Sequence, residues 1–278
     1  MPRYMTDKER EALREFQNEL LDSLKELRKK MLMLETSQER LEVLRGAFEG
    51  ETAYIVAAGP SLKDYTPEYL NDVLSDKLVF SIKQSFDVLK DTVDFHFNNF
   101  VNFTNYDYGD NLHTIVPFII WDQQHPHIIM QNNIRCDFMI PNFRNDSFPK
   151  FDSSVCAKGD FDSLLFDSQF ERPWGPGTMY EMCIPTGILM GVKKFVLVGW
   201  DIGDPNMEEF DKTRCVWQEH SYDPSRVQFG KFEMTKEEIL LVADSTKNLF
   251  YWLKDKGIEL EMTSKINPGY TGIPRIEL

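Results

Sequence analysis

Cysteine is scarce in this chain: Cys136, Cys156, Cys183 and Cys215 are the four among 278 residues. None forms a CxxC pair or a Cys/His ligand spacing, which argues against a structural zinc site. Four scattered thiols fit a reducing cytosol better than a disulfide scaffold. Long apolar runs are missing too. No stretch approaches the roughly 18 residues that span a bilayer, and the N-terminus, charged from Arg3 onward, lacks the apolar core of a signal peptide. Positive charge is in deficit, with 31 Lys and Arg against 45 Asp and Glu, a net −14. That argues against a nucleic-acid partner, which needs a basic face, but not against a small anionic ligand, which needs a few local donors. There is no GxxxxGK[ST] loop, GxGxxG fingerprint, GxSxG elbow or HExxH pair. The commonest ATPase, dehydrogenase, hydrolase and zincin readings fall away with them. A cytoplasmic protein without a transmembrane segment is expected.

What is present suits a sizeable core: 42% of residues are hydrophobic, with 21 Phe, 10 Tyr and 5 Trp. From residue 52 onward strand and helix signals alternate. Strands are expected at 53–58, 78–82, 93–98, 116–121, 137–140, 194–199 and 258–263, and helices at 67–75, 84–90, 178–190 and 235–256. Runs such as Phe195-Val196-Leu197-Val198 are apolar on both faces, as in a parallel sheet covered by helices. The expected fold is α/β, a mainly parallel Rossmann-like sheet with helices on both faces. Residues 141–176, rich in Asp, Ser, Phe and Pro, show little periodicity and suggest a functional loop or lid.

Residues 1–48 stand apart from the 49–278 domain. One long helix is expected from 6 to about 46, opened by a Thr6/Glu9 capping box and uninterrupted by Gly or Pro until Gly46. Leu13, Leu20, Leu27, Leu34 and Leu41 recur every seven residues beside a half-polar seam of Gln17, Leu24, Met31 and Gln38. A coiled coil that makes the protein a homo-oligomer and an amphipathic helix lying on its own domain both satisfy that pattern.

Three constellations could carry chemistry. Tyr54-Ile55-Val56-Ala57-Ala58 runs into Gly59-Pro60-Ser61, a strand–turn–helix order expected to leave backbone N–H groups unpaired for a phosphate or carboxylate. Its plain alternative is a βα turn capped by Ser61. Trp174-Gly175-Pro176-Gly177-Thr178 opens a helix, and the buried strand that follows delivers Gly199 and Asp201 to the same carboxyl edge. There Asp201 could orient a ribose, a sugar hydroxyl or a metal-bound water, or simply cap its loop. The third is His220, whose imidazole has the pKa of a general base near neutrality, though a histidine in a polar loop is more often a surface residue. His96, His113, His125 and His127 are weaker candidates. Asp160-Phe161-Asp162 matches a loose metal-binding Asp-x-Asp pattern that a chain this acidic produces easily by chance.

Taken together, these segments resemble the bacterial sialyltransferase family with a variant, single-domain GT-A fold. A wider group of relatives takes in flagellin-glycosylation accessory proteins and archaeal 6-hydroxymethylpterin diphosphokinases. Ala58-Gly59-Pro60-Ser61-Leu62-Lys63 resembles the family's G-x-G-P-S-L loop, and Thr178 to Asp201 resembles its T-S-G, helix, strand, G-x-D block, with Gly191, Lys193, Lys194, Gly199 and Asp201 in step. Asn267-Pro268 and Ile276-Glu277-Leu278 are similar to its tail.

The resemblance implies transfer of a CMP-linked acidic sugar, such as sialic acid, to a glycan hydroxyl, with no cofactor or metal required. Gly59, Pro60 and Ser61 would lie along the nucleotide, with Lys83 and Asn98 near its polar groups. Gly177, Thr178 and Asp201 would complete the donor site, and His220 would be the general base. The chain departs from the pattern at Lys83, where the family has a donor-contacting Asn, at Met179 in the T-S-G turn, and at Ile202-Gly203-Asp204, where paired tyrosines are missing. Lys83 would suit a diphosphate equally well. Two alternatives therefore stand: a Mg²⁺-dependent diphosphokinase acting on a pterin-like alcohol, with Asp201, Asp204, Asp160 and Asp162 as acidic ligands, and a non-catalytic, nucleotide-binding accessory protein.

Overall fold

A computed structural model describes residues 7–89, 92–98, 118–122, 136–140, 142–143, 156, 158–167, 172–173, 177–201, 236–264 and 272–278. Seven strands form one sheet: β1 (Thr52–Val56), β2 (Leu78–Ile82), β3 (Phe95–Asn98), β4 (Phe118–Asp122), β5 (Phe138–Ile140), β8 (Lys194–Val198) and β9 (Glu259–Met262). Their order is β5-β4-β3-β2-β1-β8-β9, and every pair is parallel. The chain starts in the interior of the sheet at β1, winds outward to β5, then crosses to the other side of β1. This is the doubly wound, Rossmann-like α/β fold. Two short strands, β6 (Asn142–Phe143) and β7 (Arg172–Pro173), pair in parallel apart from it, within the segment expected to be irregular.

Strand alternation sorts the apolar side chains into two cores. One face packs Val56, Val79, Val196 and Val198 against Leu70 and Leu74 of α3 (Pro67–Leu74) and Phe86 of α4 (Ser85–Val88). The other carries a row of rings in which Phe80, Phe95 and Phe118 are mutual register partners. Their centroids lie 5.3 and 5.0 Å apart, and Phe138 continues the row at 6.0 Å. That face is covered by α5 (Ile184–Leu189), α6 (Lys236–Asp255) and the N-terminal helices.

The single N-terminal helix expected from 6 to 46 is two helices, α1 (Asp7–Leu32) and α2 (Ser37–Val43). Thr36 is the reason. Its hydroxyl accepts the Glu39 N–H while the Glu39 carboxylate accepts the Thr36 N–H, a complete capping box that starts a new helix. Arg40 fixes the break by donating to the Leu34 carbonyl. Thr6 lies outside the described residues. Leu24, Leu27 and Met31 are buried in the same core as the phenylalanine row, so residues 20–44 lie on their own domain. Each such side chain contributes about 2 kcal/mol by burial. Arg28 sits 4.3 Å from the Phe118 centroid and pairs with Asp137, and the Ser37 hydroxyl accepts the Met139 N–H of the edge strand. Among the described residues no helix is long and apolar enough to cross a membrane.

Candidate functional site at the carboxyl edge of the sheet

In a doubly wound sheet, ligands sit beyond the carboxyl ends of the strands, where the winding direction reverses. Here that point lies between β1 and β8. The loops after these strands are zipped together: Ala57 N–H donates to the Val198 carbonyl, Gly59 N–H to the Gly199 carbonyl (both 2.8 Å), and Ser61 N–H to Asp201 Oδ2 (2.6 Å). The second Asp201 oxygen accepts the Ser264 hydroxyl from the loop after β9. Glycine is required where the loops meet. A Cβ at Gly59 would overlap the Gly199 carbonyl and the Asp201 carboxylate, and one at Gly199, already at φ +65°, would overlap Leu62 and the Ala57 carbonyl.

This geometry corrects the expectation that the turn offers unpaired N–H groups. Gly59 and Ser61 donate to β8's loop, Leu62 N–H bonds the Gly59 carbonyl, and Pro60, first residue of the 3-10 turn Pro60–Asp64, has no N–H. Asp201 is buried and its carboxylate organises two loops. What the turn presents instead is the Ser61 hydroxyl, buried and without a protein partner.

The loops after β2 and β3 meet in the same way. Lys83 adopts φ +52°, the one non-glycine at positive φ among the described residues. Its N–H donates to the Phe97 carbonyl (3.0 Å), and its own carbonyl faces Nε2 of His96 at 2.9 Å. Ser85 stitches this turn to β1 by donating to the Val56 carbonyl (2.7 Å). Asn98, the last residue of β3, is fully buried, and its Nδ2 lies 3.3 Å from Nδ1 of His96. Burial pushes the His96 pKa down to about 3, so the ring is neutral near pH 7. A buried neutral imidazole with both nitrogens engaged is not a general base.

Thr178 reaches this edge through the helix it opens. The C-terminal end of α5 bonds the segment entering β1, with Gly46 N–H on the Leu189 carbonyl and Phe48 N–H on that of Met190. The helix therefore runs back across the sheet, and its start lies at the carboxyl edge, where Tyr180 packs on Trp200 at 5.8 Å. The turn that leads into it, Met179–Cys183, is a π-helix, a local widening frequent at functional sites. Gly177 holds φ +143° with open space beside its α-carbon, and its N–H donates to the buried Glu181 carboxylate (3.0 Å). The Thr178 hydroxyl is buried without a protein partner, as is that of Thr263 next to Ser264.

Ser61, Lys83, Asn98, Thr178 and Asp201 thus share one edge. The Asp-x-Asp pair does not join them. Asp162 pairs with Lys256 (2.8 Å) just before β9, at the sheet's amino end, and Asp160 accepts the Ser163 N–H. Among the described residues no group of three or more His, Cys, Asp or Glu is arranged to hold a metal. His220, His113, His125, His127 and Asp204 lie outside the described residues. Reading the sequence missed Ser264 and Glu181, which no motif marks, and the engagement of His96, which its spacing of two from Asn98 on one strand face could have signalled.

No family model matches the chain, and no curated protein matches it. Among solved structures it is similar to the MAf glycosyltransferase from Magnetospirillum magneticum AMB-1, at 15% identity and a TM-score of 0.41, over 88% of this chain and 39% of that one. It is also similar to the sialyltransferase CstII from Campylobacter jejuni, solved in complex with a substrate analogue, cytidine-5'-monophosphate, at 15% identity and a TM-score of 0.32, over 82% of this chain and 86% of that one. The chain thus spans well under half the length of the first of these.

Proposed function

We propose that the protein transfers a glycosyl group from a nucleotide sugar, most simply a CMP-linked acidic sugar, to a glycan hydroxyl. The observation that carries this reading is the set of buried hydroxyls on Ser61, Thr178 and Thr263, which lack protein partners at the carboxyl edge of a doubly wound sheet. Buried polar groups in native folds are nearly always satisfied, by protein or by water, so a ligand that brings polar atoms to this edge would find partners in them. A ribose, a sugar carboxylate and a phosphate supply such atoms. Gly59, Pro60 and Ser61 would lie along the nucleotide. Lys83 and Asn98 would meet its polar groups, and Gly177 and Thr178 the sugar carboxylate. Asp201 would hold the nucleotide loop in place. His220 would take the proton of the acceptor hydroxyl as that oxygen attacks the anomeric carbon, while the bond to phosphate breaks and the nucleotide leaves with the electron pair. No metal is assigned to the step.

Calorimetric titration with CMP, CDP, UDP, GDP and ATP, each with and without Mg²⁺, tests the reading. Metal-independent binding of CMP in preference to the others is expected. Mg²⁺-dependent ATP binding would replace it with diphosphoryl transfer, CMP binding without turnover would replace it with an accessory role, and absence of any nucleotide binding would overturn it. In the transfer assay, His220→Ala should abolish turnover and leave CMP affinity unchanged; unaltered turnover would remove His220 from the mechanism.

A further inference from the structure

We propose that His96 is a positioning residue that fixes which end of the Asn98 amide faces the carboxyl-edge site, so that Asn98 presents its carbonyl oxygen there. The assignment follows from hydrogen-bond polarity. The Lys83 carbonyl, 2.9 Å from Nε2, can only accept, so Nε2 carries the ring's hydrogen. In a neutral ring Nδ1 is then an acceptor. The Asn98 amide reaches Nδ1 at 3.3 Å, and of its two ends only the NH₂ can donate. His96 and Asn98 are two apart on one strand, so their side chains share a face, with His96 on the amino side. With its NH₂ turned back toward His96, the amide directs Oδ1 the other way, toward the end of β3. The ring itself cannot turn freely, because it stacks on Phe86 at 4.6 Å with a 13° interplanar angle.

The consequence is a specificity for ligand chemistry. An amide carbonyl accepts hydrogen bonds, so at this point the site takes a hydroxyl or amino group and disfavours a phosphate oxygen. Phosphate would lie nearer Lys83, whose left-handed turn the same His96 ring holds through its carbonyl. One residue therefore sets two neighbouring contacts of opposite polarity. This consequence rests on the nucleotide-sugar reading of the edge; the ring and amide orientations do not.

The test has two arms on the full-length protein. In the ¹⁵N-labelled, ligand-free protein, long-range ¹H–¹⁵N spectra should show His96 as the Nε2–H tautomer from pH 8 to pH 5, its signal assigned by loss in His96→Phe. An Nδ1–H tautomer or an imidazolium would overturn the proposal whatever the ligand is. In the second arm CMP is the probe. His96→Phe keeps the stack on Phe86 but removes the acceptor for the Asn98 NH₂, and should weaken CMP binding about tenfold, one hydrogen bond's worth. His96→Asn places an acceptor where Nδ1 was and should recover most of that loss. His96→Gln replaces the Nε2 donor and should recover less. Equal effects of Asn and Gln would mark His96 as merely structural and overturn the proposal. If the wild type binds no nucleotide at all, the nucleotide-sugar reading falls, and the spectra still decide the role of His96.

Discussion

The two edges of the sheet treat their polar groups in opposite ways. At the amino edge one device is used twice. Asp94, immediately before β3, accepts the Val79 N–H from β2, and Asp137, immediately before β5, accepts the Ile119 N–H from β4, each at 2.7 Å. In both cases an aspartate followed by phenylalanine reaches across to the second residue of the neighbouring strand. Asp137 also meets Arg28 from α1, and Arg40 donates to its carbonyl. At the carboxyl edge the loops are bonded just as closely to one another, yet the hydroxyls of Ser61, Thr178 and Thr263 are left over. The amino edge meets these polar groups from within the fold, whereas the carboxyl edge leaves three buried hydroxyls without protein partners.

Removing the glycine that lets the loops after β1 and β8 touch should have the largest effect. Gly59→Ala forces a methyl group into the Gly199 carbonyl and the Asp201 carboxylate, neither of which is a flexible tip. Overpacking against backbone should cost about 3 kcal/mol or more, seen as a loss of urea stability, with nucleotide binding lost as well. A variant as stable as the wild type would mean that the zipped geometry is wrong. Next comes Asp201→Ala, which strands the Ser61 N–H and removes the carboxylate that accepts the Ser264 hydroxyl, and should cost about 2–4 kcal/mol. Asp201→Asn should cost much less, since its carbonyl can accept from Ser61 and its NH₂ can donate to Ser264. Equal losses for Ala and Asn would point instead to a requirement for the negative charge.

How much of this was legible in the sequence depended on range. Strands such as Phe195–Val198 announced themselves because burial on both faces needs an unbroken apolar run. The break at Thr36 was hidden because Leu34 and Leu41 continue the heptad straight across it, although Thr36 and Glu39 carry a capping-box spacing as clear as any in the chain. Asp201 was marked as an edge residue, but its partner Ser61 lies 140 positions away and no local pattern could pair them. The same distance problem turned the Gly59 loop from an expected anion cradle into a braced turn. His96 looked like a spare histidine because the Lys83 carbonyl leaves no motif, and its spacing of two from Asn98 was the one local hint of a partner.

The amino edge offers a smaller test. Arg28→Met takes the guanidinium away from both the Phe118 ring and the half-buried Asp137 carboxylate, and should cost about 1–2 kcal/mol in urea unfolding. Lys25→Met, which breaks the exposed pair with Asp22 on the same helix, should leave stability nearly unchanged. If the two variants behave alike, α1 is not fastened to the sheet through Arg28.

The smallest effect, per unit of pH, distinguishes Asp94 from its counterpart, because Asp94 is buried with a backbone N–H and no cation. Burial raises its pKa to about 7, while burial lowers that of His96, two residues on, to about 3. For Asp94 the folded state holds a proton that the unfolded chain releases near pH 4, so its contribution to stability falls as pH rises from about 4 to 7. For His96 the unfolded chain holds the extra proton, so stability falls as pH drops from about 6.5 to 3. Between about pH 4 and 6.5 the two slopes are equal and opposite, and these groups leave the wild type level. Asp94→Asn, which keeps an acceptor for Val79, should uncover the His96 slope, with stability falling by about 1 kcal/mol per pH unit from 6.5 to 5 relative to wild type. His96→Phe should uncover the reverse, a fall as pH rises over the same interval. Urea midpoints of the three proteins at pH 5, 5.75 and 6.5 decide it, since every other titrating group contributes equally to all three. Parallel lines would mean that burial moves neither group: Asp94 is charged inside the fold, and His96 takes up its proton there as it does in the unfolded chain.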